Sequence, residues 1–313
     1  MIWVQGKMRK NQNRFLISSF LVFAISACRA QATPITVMSP FSPTNTSQPV
    51  TIQVNTEVPI TAQLISCDDW QSLPVVPIVS RTVRELYERG QAGGNDPRAF
   101  SKIGDGEIAA AWFFTAFDLD EDYYDLGPYQ NLLQVIEHFA GSFERIGMAA
   151  RRGFNTDLIL DPFASDTTLC EFTEAPIDCE LRLHRPAFVI LSLGTNQAWR
   201  RADFDREMRQ ILNVLISKNV VPILSTKGDN LEGDHSINQT IACLAQEYDV
   251  PLWNFWSAIQ LLPNHGLQAD LEHLTYGIND FDDAHAMQSA WTLRNLTALR
   301  ALDAVWRAVT VQP

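Results

Sequence analysis

Nowhere do the 313 residues run apolar for the ~20 positions that a membrane-spanning helix needs. The longest candidate, Phe15 to Ile25, has about half that length, so a permanent transmembrane helix is the weakest reading of the N-terminus. Basic residues are scarce, 24 Lys and Arg against 36 Asp and Glu, which gives a formal net charge of -12. That balance disfavours nucleic acid and anionic membrane surfaces as direct ligands. Cysteines number five, with no Cys-x-x-Cys and no Cys/His spacing of a zinc site. There is no internal repeat, and no cofactor or metal is expected.

Acidic residues are also missing before Cys28, and this absence is informative. Lys7, Arg9, Lys10 and Arg14 form a basic region, followed by the apolar stretch and then Ile25-Ser26-Ala27-Cys28. Small residues before a cysteine at the end of an apolar run resemble the bacterial lipobox, which implies a leader over 1–27, cleavage, and lipidation of Cys28. An ordinary secretory signal cut at a nearby Ala is the alternative. Losing the leader's four positive charges takes the formal charge from -12 to -16. The expected address is extracytoplasmic, lipid-anchored to the cell membrane. With Cys28 acylated, Cys67, Cys170, Cys179 and Cys243 remain, an even number suited to an oxidising compartment. Three connectivities are open; a local Cys170–Cys179 bridge would leave Cys67 to pair with Cys243.

Residues 28–66 are expected to form a flexible linker, since Ser, Thr and Pro make up 15 of the 29 residues in 33–61 and no apolar periodicity appears. A domain is expected over 67–313. Helical spacing appears at 82–89 and 129–139, and a short strand at 99–103 runs into Gly104-Asp105-Gly106. The near-continuous apolar run 187–193 reads as a strand buried on both faces of a parallel sheet. It is followed by a helix capped by Asp203, a strand at 219–225, a helix near 236–248, a strand at 250–255 and a last helix from about 282 to 309. This alternation predicts an α/β, three-layer α/β/α sandwich with a central, mostly parallel sheet. Polar residues at the strand C-termini would then form the ligand crevice.

Four loops carry candidate chemistry: Gly104-Asp105-Gly106-Glu107, Gly194-Thr195-Asn196-Gln197, Lys227-Gly228-Asp229-Asn230, and Asp270-Leu271-Glu272-His273. Their order and spacing over about residues 98–310 resemble the SGNH hydrolase family, the GDSL-type esterases and lipases, with a flavodoxin-like sheet. The resemblance implies Asp270 and His273 as the acid and base of a catalytic pair. It also implies Gly194 and Asn196 in the third block, with Asn196 donating to an oxyanion, and Gln197 replacing that block's aspartate. Gly147 or Gly153, with Gly153 preferred, would be the second-block glycine. Gly106 would stand where the family's nucleophilic serine belongs, and glycine has no hydroxyl to activate.

Three accounts of that substitution follow: a binding protein that lost hydrolysis, a water activated by His273, or another hydroxyl such as Ser101, which sits before the strand end. The implied ligand is an acylated small molecule, glycan or lipid. An active carbohydrate acetylesterase or lipase-like enzyme is the alternative, and a structural surface lipoprotein the third class. Asp282 and His285 form a second Asp-x-x-His, set aside because Gly266-Leu267 precedes the first copy. Trp199, Lys227 and Asp229 are candidate rim residues. Trp253, Phe255 and Trp256 read as core. The acidic run Asp118–Asp125 reads as a solvated loop rather than a calcium site, its spacing being unlike an EF-hand.

Overall fold

The computed structural model describes residues 66–310. Cys28, the leader and almost all of the linker lie outside the described residues. The core is a parallel sheet of four strands in sequential order: β1 (Asp96–Gly104), β2 (Pro186–Ser192), β3 (Val221–Ser225) and β4 (Leu252–Trp253). The α/β class expected from the apolar runs is the class observed. β2 is buried at every residue, as a central parallel strand must be. Its side chains alternate: Phe188 and Ile190 join one apolar cluster, Val189 and Leu191 the other.

Helices cover both faces. α1 (Arg81–Ala92) and the last helix, α5 (Ala290–Thr310), bury Val83, Leu86, Leu299 and Leu302 against the first face. α2 (Pro176–His184), α3 (Arg201–Ser217) and α4 (Ser236–Glu247) bury Ile177, Phe204, Ile211 and Ile241 against the second. No helix among the described residues is long and apolar enough to cross a membrane.

The register makes the C-terminal ends of the strands flush: Gly104 pairs with Ser192, Ser192 with Ser225, and Ser225 with Trp253. Beyond β1 the edge is extended by a parallel bridge from Gly104 to Ala150. Gly104 N–H donates to the Ala149 carbonyl (2.9 Å), and Arg151 N–H donates to the Gly104 carbonyl (3.1 Å). Gly104 has φ +150°, and a Cβ there would sit 1.8 Å from the Ser192 carbonyl oxygen, so only glycine lets β1 and β2 close.

Several element boundaries differ from expectation, each for a local reason. Asp203 lies inside the first turn of α3, which begins at Arg201; there it pairs with Arg206 at 2.8 Å and complements the helix dipole. The strand expected over 250–255 is cut to two residues because Asn254 turns the chain. Its side chain donates to the Trp70 and Leu73 carbonyls and caps the helix Phe255–Ile259. The last helix starts at Ala290 rather than 282, since the Asp280 and Asp283 carboxylates take the N–H groups of 282, 283, 285 and 286 into turns. The stretch 127–138 is split by a kink at Tyr129.

Trp253 and Phe255 are fully buried, and Trp256 packs edge-on to Trp70 with centroids 4.8 Å apart. Asp118 accepts N–H from Gly141 and Glu144. Two disulfides form, Cys67–Cys243 and Cys170–Cys179.

Candidate functional site

A cleft of about 940 Å³ opens at the flush strand ends. Its lining brings together Gly106, Gly153, Asn196 and His273, residues that lie in four separate segments of the chain. That is the crevice position expected for an open parallel sheet.

Asp105 is the N-cap of a short helix, Gly106–Ala109; its carboxylate accepts the Glu107 N–H at 3.1 Å. Gly106 thus sits at the turn after β1. A Cβ added there would find Arg152 Cγ at 3.6 Å as its nearest neighbour, ordinary van der Waals contact. The position would accept a side chain but carries none. On the opposite loop His273 Nδ1 meets Asp270 Oδ2 at 2.7 Å, and the His273 N–H donates to Asp270 Oδ1 at 3.0 Å. These bonds, with the N–H of Glu272, hold the Asp270 carboxyl well down, at about 2, so it is ionised at neutral pH. Ionised, it fixes Nδ1 as the protonated nitrogen and leaves Nε2 to accept a proton. The second Asp-x-x-His is a turn: Asp283 accepts the His285 N–H, and His285 is not part of the cleft lining.

Asn196 Nδ2 donates to the Phe154 carbonyl at 2.9 Å, which leaves its other N–H for a ligand. Gly194 has φ +136° and lies behind the lining, where a Cβ would strike Ile237 and Lys227. Gln197 is buried and donates to Thr156 and Glu207, so it supports the loop from beneath. Gly153 lines the cleft, whereas Gly147 is packed against Glu180 and the Lys102 carbonyl. Ser101 is no substitute nucleophile: it is buried and donates to Glu180 at 2.5 Å.

Two rim expectations are corrected. Lys227 and Asp229 are buried, the ammonium lying 2.5 Å from Asp229 and 2.6 Å from Glu232. A buried charge needs such partners, and the pair acts from below by taking the Thr195 hydroxyl onto Asp229 at 2.6 Å. Trp199 is 82% exposed and lies outside the lining.

Glu107 belongs to the first candidate loop; the residues described with it here carried no sequence signal of their own. Trp112 and Tyr276, both in the lining, place their rings 5.4 Å apart. Arg151 and Arg152 lie beside Gly153. Glu107 meets the fully buried Arg294 at 3.2 Å, and that guanidinium is caged by Phe113, Trp253, Phe255 and Trp291. Of these, only Glu107 and the arginine pair adjoin a flagged glycine in sequence; the aromatic pair meets only in the fold.

Burial, reinforced by the neighbouring Glu107 charge and partly offset by the Glu107 N–H, pushes the Asp105 carboxyl up to about 7. An acid whose folded pKa exceeds its unfolded value near 3.9 weakens the fold once ionised. Its favourable contribution is complete below pH ~4 and is lost as pH rises toward 7. Asp105→Asn keeps an acceptor for the Glu107 N–H and removes the charge. Urea midpoints at pH 5 and pH 8 should therefore converge in the variant, the slope difference approaching 1.4 kcal/mol per pH unit for one proton. Equal pH slopes in both proteins would refute the assignment.

No protein-family model matches the chain, and no curated protein matches it. Among solved structures it is distantly similar to one described as a GDSL-like lipase from Bacteroides thetaiotaomicron. That match has a TM-score of 0.42 and 10% identity, and covers 71% of this chain and 97% of that one.

Proposed function

We propose that this chain is an extracytoplasmic, lipid-anchored protein whose SGNH-hydrolase-like cleft binds an acylated small molecule, glycan or lipid with little or no hydrolysis. The observation that carries the reading is His273, hydrogen-bonded to Asp270, lining the same cleft as Gly106, Gly153 and Asn196, with no side chain at 106. On this reading Asp270 is the acid, His273 the base and Asn196 the oxyanion donor, while position 106 lacks the atom that would form the acyl-enzyme.

The intact pair also favours a second reading, ester hydrolysis by water. In that step water would attack the acyl carbon while His273 takes its proton and returns it to the leaving alkoxide. A chromogenic acetyl-ester assay on the mature chain decides between them. The binding reading expects rates indistinguishable from His273→Ala, and His273-dependent turnover in the parent would replace it with the second.

The address has its own test. Two disulfides support an oxidising compartment, and a lipid on Cys28 supplies the anchor. Expressed in a bacterial host, Cys28→Ala should move the protein from the membrane to the soluble fraction. Retention at the membrane would count against lipidation.

A further inference from the structure

We infer that the cleft selects an organic carboxylate with an apolar tail, its anionic head held by Arg152 beside Gly106. The inference rests on the binding reading above and names the ligand class for that cleft.

The first observation is a cation without a partner. This chain carries more acids than bases, and among the described residues many arginines are engaged by carboxylates, such as Arg145 with Glu180, Arg200 with Asp157 and Arg209 with Glu247. Arg152 makes no hydrogen bond, ion pair or ring contact with any described residue. It nevertheless stands in the cleft lining, with Cγ 3.6 Å from where a Cβ at 106 would lie. Arg151, next to it, is seated over the Phe154 ring at 4.8 Å, a second positive charge on the same wall.

The second observation is how the negative groups in the cleft are answered. Glu107 faces the Arg294 guanidinium at 3.2 Å. Asp105 is almost completely buried, which favours its neutral form. Glu272, on the His273 loop, is the lining acid that has no ion pair among the described residues. The lining thus sets two cations without a carboxylate partner, Arg151 and Arg152, against one such acid, and Arg152 is the cation beside Gly106. A guanidinium prefers a carboxylate to an ester carbonyl because it presents two parallel N–H groups to two equivalent, charged oxygens.

The third observation is the apolar share of the lining. Trp112 and Tyr276, each more than half exposed and with rings 5.4 Å apart, line the cleft together with Ala109, Ala110, Ile146 and Leu274. Exposed aromatic rings lining a concavity are where an acyl or aryl tail loses water. The cleft thus matches the acid half of an ester better than the ester.

Titration calorimetry on the mature chain with octanoate, methyl octanoate, 1-octanol and galacturonate tests this. Octanoate should bind about tenfold more tightly than the two neutral eight-carbon probes, the lower end for a charged hydrogen bond. Arg152→Gln should remove that preference and leave the neutral probes within about twofold, while Arg152→Lys should retain part of it. Equal binding of all three eight-carbon probes, or a preference that survives Arg152→Gln, would overturn the inference and leave the broader binding reading standing. Tighter binding of galacturonate would overturn the apolar tail in favour of a sugar acid. Binding of none of the four would overturn both.

Discussion

Gly106→Ser should convert this protein into an ester hydrolase. The backbone at 106 needs no adjustment, because its φ is not in the left-handed region and the nearest heavy atom to a new Cβ is 3.6 Å away. The serine would stand at the start of the Gly106–Ala109 helix, in the same cleft as the Asp270-oriented imidazole. General-base activation is typically worth 10²–10⁴ in rate, so acetyl-ester turnover about 100-fold or more above the parent is expected. Gly106→Ala should give none, having the Cβ but no hydroxyl. Gly106→Ser with His273→Ala should fall back to the parent, since a triad acts as a unit. A folded Gly106→Ser variant without turnover would refute the assignment of the nucleophile turn and favour the scaffold reading.

The second large effect is on stability. Cys67–Cys243 closes a sequence separation of 176 residues, whereas Cys170–Cys179 closes one of 9. Chain-entropy arguments give about 5 kcal/mol for the long loop and about 2.5 kcal/mol for the short one. A domain's whole stability is only about 5–15 kcal/mol. Replacing Cys67 and Cys243 with Ala should therefore lower the Tm by roughly 10–20 °C, and replacing Cys170 and Cys179 by about half as much. Local packing points the same way. The 3-10 turn Cys67–Ser72 reaches the helical layer through the Cys67 N–H to Gln246 and through buried Trp70. Calorimetric scans of the two double variants check the order, and a reversed order would show that native-state packing outweighs loop closure.

The fold was legible where one face pattern dominates. The runs 187–193 and 219–225 are apolar without alternation because both faces of those strands are covered, and they emerge as β2 and β3. Ends of elements were not legible where a distant partner decides them, as when Asn254 is claimed by carbonyls some 180 residues earlier in the chain. At the site, Asp270–His273 was readable because its geometry is local, three residues in one turn. Lys227 and Asp229 were misplaced because a charged loop after a strand looks solvated; its lysine instead pairs with both Asp229 and Glu232 in the interior. The Trp112–Tyr276 pair had no signal at all, since 164 residues separate two rings that only folding brings together.

The long disulfide has a mechanical consequence. If the protein is held from its N-terminal side and pulled from its C-terminal side, load arriving at Cys67 crosses the sulfur bridge into α4 and bypasses everything in between. Residues 68–242, which carry Gly106, Gly153 and Asn196, form a covalent loop outside the load path. Asp270 and His273 lie beyond Cys243, within it. Tension would thus load β4, the Asp270–His273 loop and α5, while the segments that carry Gly106, Gly153 and Asn196 stay outside its path.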